Sequence, residues 1–220
     1  MSLLDLEALE LAPMARHPFA FTVVPNAIRP ADAAAIRDDF PKIDSPGLFP
    51  YDTTRYGPRF QRLIDELQSE QTARAFSEKF GVNLVRRPRM IAVRGRCAAR
   101  DGRIHTDSPN KLITVVIFFN ERWEASGGRL RLLRSPNDLD DVIFEASPDL
   151  GTLVALRRSD QSFHGHAPYE GVRRYVMMSW MTSDFAARRE WLRHRLSARV
   201  KQAANLFRPR RRAAPGGSLG

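Results

Sequence analysis

The feature that most constrains the fold is a series of short β-rich segments between residues 84 and 181, with no helical pattern between them. Turn signals such as Gly127-Gly128 and the run from Ser147 to Gly151 separate the segments. Six segments within about a hundred residues favour an antiparallel sandwich or barrel. The segments are LVRRPRMIAVRGR, KLITVVIFFN, GRLRLLR, DVIFEAS, GTLVALR and RRYVMMSWM.

The regions on either side of this series favour helices. Residues 31–40 predict a short helix, with Pro30 close to its first turn. Residues 59–80 carry apolar side chains at helical spacing, which predicts one helix, or two helices broken near Ser69. A similar stripe over residues 185–207 predicts an amphipathic C-terminal helix. We therefore expect a mainly β protein with flanking helices.

The net charge of +10 is concentrated at the C-terminal end of the chain. Residues 184–220 contain ten Lys and Arg against two acidic side chains, so the first 183 residues carry only +2. This distribution indicates a basic tail on a nearly neutral body, and we do not expect nucleic acid as a partner. The longest apolar stretch, Leu112 to Phe119, is much too short to span a bilayer.

The cysteine content and the N-terminus indicate the compartment. Cys97 is the single cysteine, so neither an intramolecular disulfide nor a cysteine-based zinc site is possible within the chain. The first residues lack the basic region and the long apolar run of a secretory signal. The expected localisation is the reducing cytoplasm.

Three of the five histidines lie in the β-rich region, in the motifs H-T-D (His105, Asp107) and H-G-H (His164, His166). Residues i and i+2 of a strand point to the same side, so His105 and Asp107 would present an imidazole and a carboxylate together. The 59 residues between His105 and His164 allow the intervening strands to bring a third ligand back. Two histidines and one carboxylate form the facial triad of non-haem Fe(II) sites. Because H-x-D tripeptides are common by chance, an exposed His and Asp in a turn is the alternative.

A basic residue on the last predicted strand suggests an anion site. Arg174 lies ten residues beyond His164 in an otherwise apolar strand. A guanidinium in such a place is costly unless it meets an anion, and its planar shape suits a carboxylate. Arg173 is the competing residue, and alternation puts the two arginines on opposite faces.

Together these residues resemble the Fe(II)/2-oxoglutarate-dependent dioxygenase superfamily, in its prolyl 4-hydroxylase-like branch. The resemblance covers residues 88–182, a little under half of the chain. It implies a double-stranded β-helix, or jelly roll, with the metal at the open end of the barrel. In order, the motifs are H-x-D, ITVVIFFN, W-x-x-x-G-G-x-L, P-x-x-G-T-L-V-A-L, S-F-H-G-H and R-Y-V-M-M-S-W.

The resemblance also implies the roles of the site residues. His105, Asp107 and His164 match the Fe(II) ligands, and Arg174 matches the residue that holds the distal carboxylate of 2-oxoglutarate. His166 competes with His164, but His164 keeps the family's spacing to the basic residue.

Two features depart from the family pattern. Relatives often carry a serine or threonine near the basic residue, where this chain has Val176 and Met178. Many relatives carry a tyrosine where this chain has Phe118, to help bind the distal carboxylate. Thr114 shares a face with Phe118, so its hydroxyl is a candidate substitute, and a threonine bonded to the backbone is the alternative.

The implied activity is hydroxylation of a C–H bond, with 2-oxoglutarate and O2 as cosubstrates, ascorbate as an optional reductant, and succinate and CO2 as products. Halogenases of the superfamily lack the carboxylate ligand, so Asp107 favours hydroxylation. The substrate is not predicted: a protein side chain, an amino acid, a glycan or another small metabolite all stay open.

Two other functions are alternatives. One is a non-catalytic jelly-roll module with a metal or sugar pocket. The other is an oxygenase that dealkylates nucleic acid, but Trp180 stands where that group carries a second arginine.

The expected organisation has four parts. Residues 1–83 form a helical and loop region packed on the core, and residues 84–183 form the Fe(II)/2-oxoglutarate jelly roll. Residues 184–207 form the amphipathic helix, for which weak contact with an anionic membrane surface is an alternative to packing on the core. Residues 208–220 are a basic tail with too few apolar residues to fold. The oligomeric state is not predicted.

Overall fold

The structure of the chain, a computed structural model, describes residues 2–192. The predictions for residues 193–220, which include most of the C-terminal helix and the whole basic tail, lie outside this range. Within the described range, no helix is both long enough and apolar enough to cross a bilayer. The proposed division at residues 83 and 183 stays a prediction.

The strands of residues 2–192 form two antiparallel sheets that face each other. The large sheet has seven strands in the order β1-β2-β8-β5-β10-β4-β3, and the small sheet has three in the order β7-β6-β9. This confirms the mainly β, jelly-roll fold. The strands are β1 Met14–Ala15, β2 Phe21–Val24, β3 Phe49–Pro50, β4 Arg89–Cys97, β5 Lys111–Phe118, β6 Leu130–Leu133, β7 Val142–Ala146, β8 Leu153–Arg157, β9 His164–Gly165 and β10 Gly171–Met181.

Three strands of the large sheet come from the region in which no strand is expected from the sequence. β2 pairs with β8 along its whole length, β1 extends the same edge, and β3 covers the opposite edge beside β4. Each has two to four residues. Such short strands show no alternation of their own, since their structure is imposed by the sheet they join.

The first four α-helices pack on the outer face of the large sheet. The predicted break near Ser69 is present: its side chain accepts a hydrogen bond from the Thr72 N–H and begins the second helix. Gly81 ends that helix in the left-handed conformation, at φ 63°. The helices are α1 Leu6–Leu11, α2 Pro30–Asp38, α3 Pro58–Leu67, α4 Glu70–Phe80 and α5 over residues 184–192, with a 3₁₀ helix at Tyr51–Thr53.

Alternation along β5 divides the interior into two layers. Ile113, Val115 and Ile117 belong to the core between the large sheet and the helices. Phe118 points the other way and packs with residues of the small sheet, with Val116 against the same cluster. The space between the two sheets is where the functional side chains meet.

The helical layer should support stability without taking part in the site. Phe60 is fully buried, with its ring centroid 5.1 Å from Tyr56 and 5.2 Å from Phe40. We expect Phe60→Ala to lower the free energy of unfolding by about 3–5 kcal/mol in urea denaturation. Leu11→Ala, at a side chain that is 76% exposed, is the control and should change it by less than about 0.5 kcal/mol. Equal effects would contradict the described packing.

Candidate active site

The predicted metal ligands meet at one end of the space between the sheets. His105, Asp107 and His164 each offer a ligand atom, and these atoms lie within 4.8 Å of one another. The backbone N–H of His105 donates to the His164 carbonyl at 3.0 Å, and the N–H of His164 donates to the His105 carbonyl at 2.9 Å. This antiparallel bridge holds the two imidazole centroids 4.3 Å apart.

Each of the two histidines is oriented by a backbone carbonyl. The Nδ1–H of His105 donates to the Arg103 carbonyl at 2.9 Å, and the Nδ1–H of His164 donates to the Ser162 carbonyl at 3.0 Å. In this tautomer the Nε2 lone pair of each ring is left for a metal. Burial, together with the charges of His105 and Lys111, lowers the pKa of His164 to about 4 despite the opposing effect of Asp107. His164 is therefore neutral, as a metal ligand must be, at neutral pH.

The carboxylate of Asp107 has one satisfied oxygen and one free oxygen. Oδ1 accepts a hydrogen bond from the Lys111 ammonium at 2.6 Å, whereas Oδ2 is buried with no hydrogen-bond partner in the described structure. Burial raises the pKa of Asp107, but the nearby charges of Lys111 and His164 outweigh it and bring the pKa to about 2. A buried, ionised oxygen without a hydrogen-bond partner in the described structure, beside two imidazoles, fits a divalent cation.

A cavity of about 480 Å³ extends from the triad between the two sheets. Its walls come largely from β5 and β10, where Val116 pairs with Met177 and Phe118 pairs with Tyr175 in the antiparallel register. A larger open groove of about 890 Å³ runs along residues 38–57, but none of the three ligands lines it. The smaller cavity is the candidate site because the three candidate metal ligands line it.

The expected place of Arg174 inside the barrel is corrected by the structure. Arg173 is buried and lines the cavity with the triad, whereas Arg174 lines grooves on the outside of the sheet. The two arginines do point in opposite directions, but the inward one is Arg173. Alternation along β10 is regular here: Arg173 shares the face of Tyr175, which lines the cavity, whereas Arg174 shares the face of Trp180, which lies in the core against the helices.

The Arg173 guanidinium has no counter-charge in this setting. Its Nε–H donates to the Gly128 carbonyl at 2.7 Å, and its Cζ lies 5.2 Å and 5.1 Å from the ring centroids of Phe118 and Tyr175. Among residues 2–192, no carboxylate lies within ion-pair distance of it. Burial and the nearby Arg94 lower the pKa of Arg173. A buried cation of this kind is suited to bind an anion.

The remaining predicted residues also line the cavity. His166 donates through Nδ1–H to the Ala167 carbonyl at 2.9 Å and is not in the ligand group of the triad. Burial and Arg173 lower its pKa to about 4. The Thr114 hydroxyl lies 3.0 Å from the Ser179 hydroxyl on the neighbouring strand, so it is hydrogen-bonded to a side chain. Its contact with the cosubstrate stays a prediction.

Sequence reasoning missed three groups that the structure brings to this site. Lys111 holds Asp107, and the Arg158 Nε–H donates to the Asp107 backbone carbonyl at 3.3 Å. Arg94 lines the cavity, paired with Asp101. For Lys111, alternation along β5 predicts the wrong face, because the other odd-numbered residues of this strand point toward the helices. The register of β5 against β10 shifts between Trp180 and Met181, next to Lys111.

Comparison with known proteins agrees with this geometry. A family model described as the 2OG-Fe(II) oxygenase superfamily matches residues 96–182, a range that contains the triad and Arg173. No curated protein matches the chain. Because the donor set also fits Fe(II), the indicated cofactor is Fe(II) and the indicated cosubstrate is 2-oxoglutarate.

Solved structures with a similar fold include several prolyl hydroxylases. A prolyl 4-hydroxylase of Pseudomonas putida has a TM-score of 0.53 at 16% identity, covering 81% of this chain and 93% of that one. A viral collagen prolyl hydroxylase of Paramecium bursaria Chlorella virus-1, in complex with 2-oxoglutarate, has a TM-score of 0.54 at 11% identity, covering 74% and 96%. A prolyl hydroxylase of Trichoplax adhaerens, in complex with a hypoxia inducible factor peptide, has a TM-score of 0.52 at 14% identity, covering 84% and 90%.

At these identities the likeness concerns the fold. The family match adds the ordered sequence motifs, and the triad adds the metal-binding chemistry. In sequence motifs and in fold, this chain resembles the 2-oxoglutarate- and Fe(II)-dependent oxygenases, and among them the prolyl hydroxylases.

Proposed function

We propose that the protein is an Fe(II)- and 2-oxoglutarate-dependent dioxygenase that hydroxylates a C–H bond of its substrate and releases succinate and CO2. One observation carries the proposal: a His–Asp–His triad with a buried free carboxylate oxygen shares a cavity with a buried arginine, and within residues 2–192 neither that oxygen nor the guanidinium has a charged partner. The two features match the two ends of 2-oxoglutarate, whose 2-oxo acid end chelates metal and whose other end is a carboxylate.

The triad holds the metal and leaves it open to small ligands. His105 and His164 bind through Nε2, and Asp107 binds through the free Oδ2. When bound, Fe(II) supplies coordination positions for the cosubstrate and for dioxygen. His105 is the exposed member of the triad, so this end of the cavity is reached from solvent. We propose that the substrate approaches from this side.

Arg173 binds the distal carboxylate of the cosubstrate. A guanidinium binds a carboxylate with two parallel hydrogen bonds, and burial strengthens such a pair. The phenol of Tyr175 lies beside Arg173 and also lines the cavity. Tyr175 is the direct cross-strand partner of Phe118, and we propose that its hydroxyl supplies the contact that Phe118 does not. Thr114, beside Asp107, remains a proposed contact nearer the metal.

The apolar walls of the cavity keep water from the reacting groups. Val116, Leu130, Leu156 and Met177 line the space between the triad and the strands. Exclusion of water strengthens the pair between Arg173 and the distal carboxylate and protects reactive species from side reactions. The retained carboxylate ligand supports hydroxylation. The substrate classes named from the sequence all stay open.

The metal proposal is tested by the ligand variants. We expect the protein to bind one Fe(II) per chain and His105→Ala, Asp107→Ala and His164→Ala each to abolish binding, because each removes one of only three protein ligands. His166→Ala is the matched control and should retain the metal, since His166 lies outside the ligand group. Anaerobic calorimetric titration measures the affinity. Loss of the metal in His166→Ala, with His164→Ala tolerant, would reverse the assignment.

The cosubstrate proposal is tested by the neighbouring arginines. Removing one partner of a buried ion pair costs about 3–5 kcal/mol. At about 1.4 kcal/mol per decade, Arg173→Ala should therefore raise the 2-oxoglutarate concentration for half-saturation by roughly a hundredfold or more. Metal affinity should change little, because Arg173 contacts the far end of the cosubstrate.

Arg174→Ala is the control for this prediction, since its side chain lies outside the sheet. Titration of 2-oxoglutarate into the anaerobic Fe(II)-loaded variants, followed by metal-to-ligand charge-transfer absorption, gives the half-saturating 2-oxoglutarate concentration of each variant. A larger effect from Arg174 than from Arg173 would overturn the assignment.

A further inference from the structure

Lys111 places a buried ammonium against a metal-ligand carboxylate. Its Nζ lies 2.6 Å from Asp107 Oδ1, and both side chains are only 7% exposed. A buried lysine is costly even when it is paired. It would also repel the divalent cation that the triad is suited to hold. Tighter metal binding is therefore not a sufficient reason for a lysine at this position.

The hydrogen bond from Lys111 makes the two carboxylate oxygens of Asp107 inequivalent. Oδ1 accepts the ammonium hydrogen bond, and Oδ2 is the buried oxygen with no partner in the described part of the chain. Asp107 is also held through its backbone, because the Arg158 Nε–H donates a hydrogen bond to the Asp107 carbonyl. With Oδ1 occupied, only Oδ2 is available to a cation next to the two imidazoles.

We infer that Lys111 is a positioning residue that keeps Asp107 a one-oxygen ligand of the metal. The inference rests on the proposed function and extends it. Carboxylates bind cations through one or through two oxygens. Two histidines and one carboxylate oxygen leave three positions of an octahedral ion open. A second carboxylate oxygen would take one of them and compete with 2-oxoglutarate, which needs two, and with dioxygen.

This role predicts opposite effects on metal and cosubstrate, which a merely structural ion pair would not produce. Lys111→Met keeps the length of the apolar stem and removes the charge and the hydrogen bond. It should bind the metal at least as tightly as the wild type, since the repulsion is gone and Oδ1 becomes available. It should bind 2-oxoglutarate roughly 10- to 100-fold more weakly, the size of effect typical of groups that orient metal ligands.

Three measurements test the inference. Calorimetric titration with Co(II) gives metal affinity, and the Co(II) d–d spectrum reports the coordination supplied by the protein alone. Titration of 2-oxoglutarate into the anaerobic Fe(II)-loaded protein gives cosubstrate affinity. We expect Lys111→Met to change the Co(II) spectrum and Lys111→Arg, which keeps the charge and the donors, to restore both properties. Lys42→Met is the control, since Lys42 lines only outer grooves.

The outcomes separate the possibilities. Equal weakening of Co(II) and 2-oxoglutarate, or an unchanged 2-oxoglutarate affinity in Lys111→Met, would overturn the inference and leave a structural ion pair. If Lys111→Met fails to fold, Lys111→Ala provides the same comparison, with a larger loss for 2-oxoglutarate than for Co(II) expected and equal losses contradicting it. If the wild type with Fe(II) shows no 2-oxoglutarate absorption, the proposed function fails, while the Co(II) spectra still decide the role of Lys111.

Discussion

The backbone bridge between His105 and His164 is the interaction on which the site depends. Two reciprocal hydrogen bonds join the segment that carries the H-x-D motif to β9, which belongs to the small sheet through β6. The bridge thus brings together ligands that are 59 residues apart. The orienting carbonyls of Arg103 and Ser162 lie two residues before each histidine, so the same local geometry aims both rings. Metal chemistry at this position is a consequence of sheet pairing.

Alternation along β10 and one register shift beside β5 determine which cations face the cavity. Arg173 faces inward on the same side of β10 as Tyr175, and the register shift between β5 and β10 lies next to Lys111, which also lines the cavity. Each cation then has a distinct task in the proposed mechanism, at the distal carboxylate and at the ligand Asp107. Bulges commonly re-aim side chains near active sites. In this chain the shift beside Lys111 supplies a buried cation that regular alternation along β5 would have directed toward the helices.

The sequence predicts what depends on local pattern and on ordered motifs. The strands from β4 to β8 and β10, the break at Ser69 and the three members of the triad all follow from periodicity, capping or motif order. It does not predict β1 to β3, because two to four residues carry no period and their structure depends on distant partners. It also expects Arg174 inside the barrel, because alternation alone does not show which face of β10 lies between the sheets. It misses Lys111, because a register shift between strands leaves no mark in either strand's own sequence.

The central claim is that the triad and Arg173 together bind Fe(II) and 2-oxoglutarate in one cavity. The most direct measurement is an anaerobic titration of the wild-type protein with Fe(II) and then with 2-oxoglutarate, followed by visible absorption. The account predicts a charge-transfer band that needs both components and saturates at one 2-oxoglutarate per chain. A protein that binds Fe(II) but develops no band with 2-oxoglutarate would contradict it.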